Sequence, residues 1–137
     1  MSHSTVFKGS AAIMAAFGVV LLLAPNLLLK MHGALTLNSP GNYNSMLYGS
    51  LLIGMAVVNW SAAGASAEQV RSLVLGNLVA DVLGLVVTLY LQLTDPIVPS
   101  SAWSNVAIFL VFTILFGRLQ LRMRSAAAPV AGGAPAA

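Results

Sequence analysis

Four stretches of this chain run for about twenty residues each with almost no charge, and that spacing leaves few folds open. They cover about 7–29, 43–65, 70–93 and 102–121. At ~1.5 Å per residue, a helix of that length crosses the ~30 Å hydrocarbon core of a bilayer. Lipid offers no water to satisfy backbone amides, so each stretch is expected to be helical. Composition agrees: only 7% of the 137 residues are charged, where a soluble domain carries about a quarter. The expected fold class is all-α, an integral membrane four-helix bundle. It forms one domain over 1–124, followed by an Ala/Pro/Gly tail at 125–137. The first stretch exceeds the ~7–15-residue core of a signal peptide and no clean cleavage site follows, so it is expected as a retained helix. Pro25 within it is expected to mark a kink or a last turn.

The basic residues suggest an orientation. Across four crossings, Lys8, Arg71, Arg118, Arg122 and Arg124 fall on one side and Lys30 on the other. Under the positive-inside rule this puts both termini in the cytoplasm. Tyr43, Tyr48, Tyr90 and Trp103 then lie near outer ends and Trp60 near an inner one, as in an aromatic belt. The outer connections hold the turn clusters Asn38-Ser-Pro-Gly-Asn and Asp95-Pro-Ile-Val-Pro. The inner connection at 65–69 is short, so the second and third helices are expected to form a tight antiparallel hairpin.

Several functions are argued against by what the chain lacks. Six basic residues, scattered along it, make no phosphate-tracking face, so no nucleic-acid partner is expected. With no cysteine there is no disulfide, iron–sulfur cluster or thiolate metal site. His3 and His32 both lie outside the apolar runs, away from any serine of the core, which argues against a nucleophile–base pair and against metal ligation within the bundle. Met31-His32 on the first outer loop could hold copper(I) weakly, but two adjacent residues read more simply as interfacial loop. No glycine loop for phosphate and no lipidation signal is present. No catalytic residue, metal or cofactor is therefore expected.

One carboxylate breaks the apolar pattern. Asp81 stands in the middle of the third run, where a charge costs several kcal/mol unless it is paired, protonated or hydrated. On a wheel at 100° per residue with Asn77 at 0°, Asp81 falls at about 40°, Thr88 at about 20° and Gln92 at about 60°. Gly84 falls at about 340°, Ala80 at about 300° and Gly76 at about 260° on the same wheel. All polar and small residues from Gly76 to Gln92 thus share one arc, opposite Leu75, Leu78, Val79, Val82, Val86, Leu89 and Leu93. Gly76, Ala80 and Gly84 form a small-xxx-small ladder, which serves helix packing within the bundle or against another protein. Asn59, near the inner end of the second run, matches the depth of Asn77 and is expected to face it, with Asp81 one turn deeper. No basic residue shares the depth of Asp81. Asn59, Asn77 and Asp81 are therefore either a polar clamp built on a protonated acid or a ligand or proton site. The fourth run carries Asn105, Thr113 and a row of Phe109, Phe112 and Phe116, read as packing or lipid-facing bulk.

Leu47-Tyr48-Gly49 followed by Gly54, the short basic turn at Arg71 and Arg118 closing the fourth run carry a resemblance. From about Gly9 to Leu121 the chain resembles the small bacterial four-helix membrane proteins of the DoxX-like group. The resemblance implies a bacterial inner membrane and, from some members, an accessory role beside quinone-linked redox systems. Asp81 and Asn77 have no counterpart in that pattern. The expected function is an accessory or structural subunit of a larger membrane complex, docked through the third helix or the phenylalanine side of the fourth. The alternatives are a homo-oligomeric proton- or cation-coupled transporter using Asp81, and a lipid- or quinone-binding membrane protein. Expected partners are the bilayer and either other membrane subunits or further copies of the chain.

Overall fold

The structure is a computed structural model that describes residues 2–31, 33, 35–96 and 98–127. Among these residues every regular element is helical and there is no strand. The helices are α1 (His3–Leu23), α2 (Pro25–Met31), α3 (Ser39–Ala62), α4 (Arg71–Thr94) and α5 (Trp103–Ala127), the last led in by a 3₁₀ turn at Ser100–Ala102. Four spans are long and apolar enough to cross a membrane: α1, α3, α4 and the segment Ser100–Ser125. Of the pair Met31-His32, expected as interfacial loop, His32 lies outside the described residues. So does most of the expected tail, 128–137, while 125–127 continue α5.

Local chemistry sets the boundaries. Ser2 caps α1, its Oγ accepting the Thr5 amide at 3.3 Å. The run expected as a single helix is divided at Ala24, which leaves helical geometry at φ −149°, ψ 61°. Proline disfavours helical geometry in the residue before it and has no amide to donate, so Pro25 opens α2 rather than kinking α1. Gly33, at φ +71°, closes α2 in the left-handed region, its amide donating to the Lys30 carbonyl at 3.0 Å. The cluster expected as a turn at Asn38 is instead the first turn of α3. Asn38 Oδ1 accepts the Gly41 amide at 2.9 Å and Pro40 sits in the first turn, both helix-start chemistry.

The helices associate as two close pairs, α1 with α3 and α4 with α5. Glycines make the first pair possible. A Cβ on Gly49 would stand 2.7 Å from the Leu22 nitrogen and 2.8 Å from the Gly18 carbonyl, and one on Gly18 would stand 2.9 Å from the Gly49 carbonyl. The backbones therefore cross in direct contact, as small residues allow in lipid. In the second pair the Phe109 ring covers Gly84, and Leu78 lies 3.8 Å from where a Gly117 Cβ would be.

The expected tight hairpin of α3 and α4 is not formed at the level of the backbone, since these helices belong to different close pairs. The residues at 63–70 turn the chain, with Ser66 and Gln69 bonding reciprocally (Ser66 N to Gln69 Oε1, 2.9 Å; Gln69 N to Ser66 Oγ, 3.4 Å). The two pairs join through a core at one end: Val6 and Phe7, Ala62 and Ala63, Val70 and Val74, and Phe112, Phe116 and Leu119. Phe7 meets Phe116 edge to face at 5.4 Å. His3 Nε2 lies 3.0 Å from the Ala65 carbonyl, fastening the start of α1 to the α3–α4 connection. We call this the basic end, because Lys8, Arg71, Arg118, Arg122 and Arg124 all lie toward it. Beyond Asp81, no α4 residue is buried, so the seam between pairs occupies only the half of the bundle nearer the basic end.

Replacing Gly49 by Ala should lower the thermal stability of the detergent-solubilised chain by about 1–3 kcal/mol through overpacking. Gly54→Ala, on the same helix with no atom within 4 Å, should leave it unchanged or raise it. Equal melting of the two variants would overturn the direct crossing.

Candidate functional site

Two asparagines tie the helix pairs together. Asn59 of α3 is 0% exposed and Asn77 of α4 is 3% exposed. Asn59 Nδ2 donates to Asn77 Oδ1 at 2.9 Å, and Asn77 Nδ2 donates back to Asn59 Oδ1 at 3.0 Å. Asn59 Nδ2 also reaches Ser10 Oγ of α1 at 3.1 Å, and Asn77 Nδ2 donates to the Leu73 carbonyl at 2.9 Å. Three helices thus share one polar network, and the amide hydrogens of both asparagines are committed within it.

Asp81 stands one turn away, only 7% exposed, with Oδ2 buried and without a hydrogen-bond partner. The structure does not pair it with Asn77 or Asn59, because those amides have no donor left to give. The clamp expected of all three residues is carried by the asparagines alone. Asp81 instead lies between α4 and α5. Gly84 opposite Phe109 and Leu78 opposite Gly117 set the antiparallel register. Asp81, midway between Leu78 and Gly84, therefore lies level with Thr113, midway between Phe109 and Gly117. Thr113 Oγ1 is also buried without a partner. Two orphan oxygens thus lie at one depth on the closely packed pair α4 and α5.

The remaining predicted residues divide. Gly84 is packed beneath Phe109, whereas Gly76 has no atom within 4 Å of a would-be Cβ and Ala80 is exposed. The inward arc of α4 is therefore narrower than the wheel suggests, centred on Asn77, Asp81 and Thr88. Thr88 satisfies its own hydroxyl by donating to the Gly84 carbonyl at 2.7 Å. Phe112 and Phe116 are buried in the core and Phe109 covers Gly84, so the phenylalanine side of α5 is occupied within the chain and not free for a partner.

Sequence reasoning missed three polar groups. Ser10 joins the clamp from α1; a lone hydroxyl among alanines was its only signal. Asn26 accepts the Leu37 amide at 2.8 Å and donates to Asn42 Oδ1 at 3.1 Å, a second amide pair at the far end whose signal is an asparagine close after each of two prolines. Gln120 is 6% exposed with Oε1 unpartnered. No protein-family model, curated protein or solved structure matches the chain at a significant level.

The division of labour has a measurable consequence. Asn77→Leu leaves the fully buried Asn59 amide unpaired and should cost about 1–3 kcal/mol in thermal unfolding. Asp81→Leu removes a group with no partner and should not destabilise the chain. A loss of stability in Asp81→Leu as large as in Asn77→Leu would place the acid in the clamp.

Proposed function

We propose that the chain is an accessory or structural subunit of a larger membrane complex, docked through the open face of α4. The observation that carries this reading is the unequal use of small residues. Gly18, Gly49 and Gly84 are covered by the chain's own helices, whereas Gly76 and Ala80, in the same kind of ladder, are not. Small residues let helices approach closely in lipid, where apolar bulk alone gives no preference for one neighbour over another. Leu83 and Val87 extend the uncovered face, 61% and 54% exposed. The basic bias supports both termini in the cytoplasm, and the DoxX-like resemblance supports a bacterial inner membrane and a redox or energy-transducing complex.

A second reading rests on Asp81. A buried acid that the fold does not use is by default a functional-site hypothesis in a membrane helix, and a homo-oligomer could use it with Thr113 as a proton or cation site. Nothing beyond the apolar lining favours the lipid- or quinone-binding alternative at this depth.

Native mass spectrometry of the tagged chain, extracted mildly from its host, tests docking. Larger subunits should co-elute, and Ala80→Phe should abolish that co-elution without changing the melting of the chain itself. Val82→Phe, on the opposite side of α4, should not. A discrete homo-oligomer free of other proteins and indifferent to Ala80→Phe would sink the proposal. The transport reading is then tested by Asp81→Asn in proteoliposomes, which should abolish a proton or cation flux while leaving the melting curve in place.

A further inference from the structure

The basic end holds a polar recess that neither reading of α4 uses. Glu68, Arg71, Ser72 and Leu75, from the start of α4 and the turn before it, line one side. Gln120 and Arg124, from the last turns of α5, line the other. The recess is open, with a volume of about 450 Å³, within the ~300–1,000 Å³ usual for small-ligand sites.

Its chemistry is specific. Arg71 and Arg124 make no ion pair among the described residues, and the Glu68 carboxylate, though it lines the same recess, pairs with neither. Gln120 is buried to 94% yet its Oε1 has no partner. Gln120 lines the recess, but its Oε1 is sealed from solvent and does not open into it. Two guanidinium groups suit a phosphodiester, the Ser72 hydroxyl can donate to it, and the Glu68 carboxylate accepts hydrogen bonds. An anionic acceptor beside a pair of cations suits a ligand carrying both a phosphate and a primary ammonium. The position also fits. Arg71 and Arg124 lie at the ends of their spans, at the depth of lipid headgroups.

We propose that this recess binds the zwitterionic headgroup of an aminophospholipid, its phosphodiester on Arg71 and Arg124 and its ammonium on the exposed Glu68 carboxylate. The site is independent of what α4 docks. Arg118 and Arg122 line a separate small hollow with Val6, Leu115 and Leu119 and take no part.

The test reconstitutes the full chain in nanodiscs of phosphatidylcholine containing equal minor amounts of phosphatidylethanolamine and phosphatidylglycerol. Bound lipid is counted by native mass spectrometry after release into detergent. Phosphatidylethanolamine should be retained at least about tenfold over either other lipid. Arg71→Gln with Arg124→Gln should erase all retention. Glu68→Gln should erase the preference while keeping phosphate binding, so that phosphatidylglycerol is retained as well. Circular dichroism confirms that the variants stay folded, and the single Glu68 change decides if the double variant does not. Equal retention of the three lipids, or retention unchanged by the arginine substitutions, would overturn the site. A soluble source is separated by ³¹P NMR. Arginine-dependent broadening of inorganic phosphate, without lipid preference, would assign the recess to free phosphate and refute the headgroup.

Discussion

The reciprocal amide pair of Asn59 and Asn77 is the constraint on which the arrangement of this bundle turns. Within a bilayer, exchanging lipid for another helix brings no hydrophobic gain, so apolar surfaces do not by themselves decide which helices meet. Buried amides do decide, since an asparagine that loses its partner has nothing else to bond in hydrocarbon. The close pairs α1/α3 and α4/α5 are each held by shape, through the crossing at Gly18 and Gly49 and the stacking of Phe109 on Gly84. Between the pairs, the Asn59–Asn77 hydrogen bonds at 2.9 and 3.0 Å fix the register, and Ser10 extends the same network into α1. The phenylalanine cluster around Phe116 then packs in the space this register leaves.

Because that tie and that core both lie toward the basic end, cohesion along the molecule is uneven. Nearer the far end, α1 and α3 remain in contact through glycine, and Asn26 and Asn42 close the α2–α3 corner. Opposite them, α4 from Val82 onward buries no side chain completely. A bundle joined on one half and loosely apposed on the other leaves apolar helix surface for lipid or protein to cover. This follows from where the polar groups sit and not from any shortage of apolar residues.

Much of this was legible in the sequence. Run length alone gives four helices, because lipid leaves the backbone no other way to satisfy its amides. The depth of Asn59 matched that of Asn77, since two residues at similar distances from one connection must lie level. The wheel misled at Gly76 and Ala80 for a reason of principle. Periodicity shows that a helix has two faces, but how far the inward face extends depends on which neighbours pack against it. Here α4 packs closely on α5 alone, so the inward arc is narrow. The division at Ala24 and the early start of α3 were misread because proline was treated only as a breaker. At Pro25 and Pro40 it opens helices, where its missing amide costs nothing.

Asp81 is the residue this packing does not explain. In a clamp, each polar group is there because another needs it, and replacing one member leaves its partner exposed to hydrocarbon. Nothing among the described residues needs Asp81 in that sense: the asparagine donors are spent on each other, Ser10 and Leu73, and Asp81 Oδ2 is buried without a bond. Thr113 is in the same condition at the same level of the neighbouring helix. Thr88, by contrast, bonds the Gly84 carbonyl. Replacing Asp81 therefore strips no partner of its hydrogen bond, which separates it from Asn59 and Asn77, where the loss of either leaves the other unpaired in hydrocarbon.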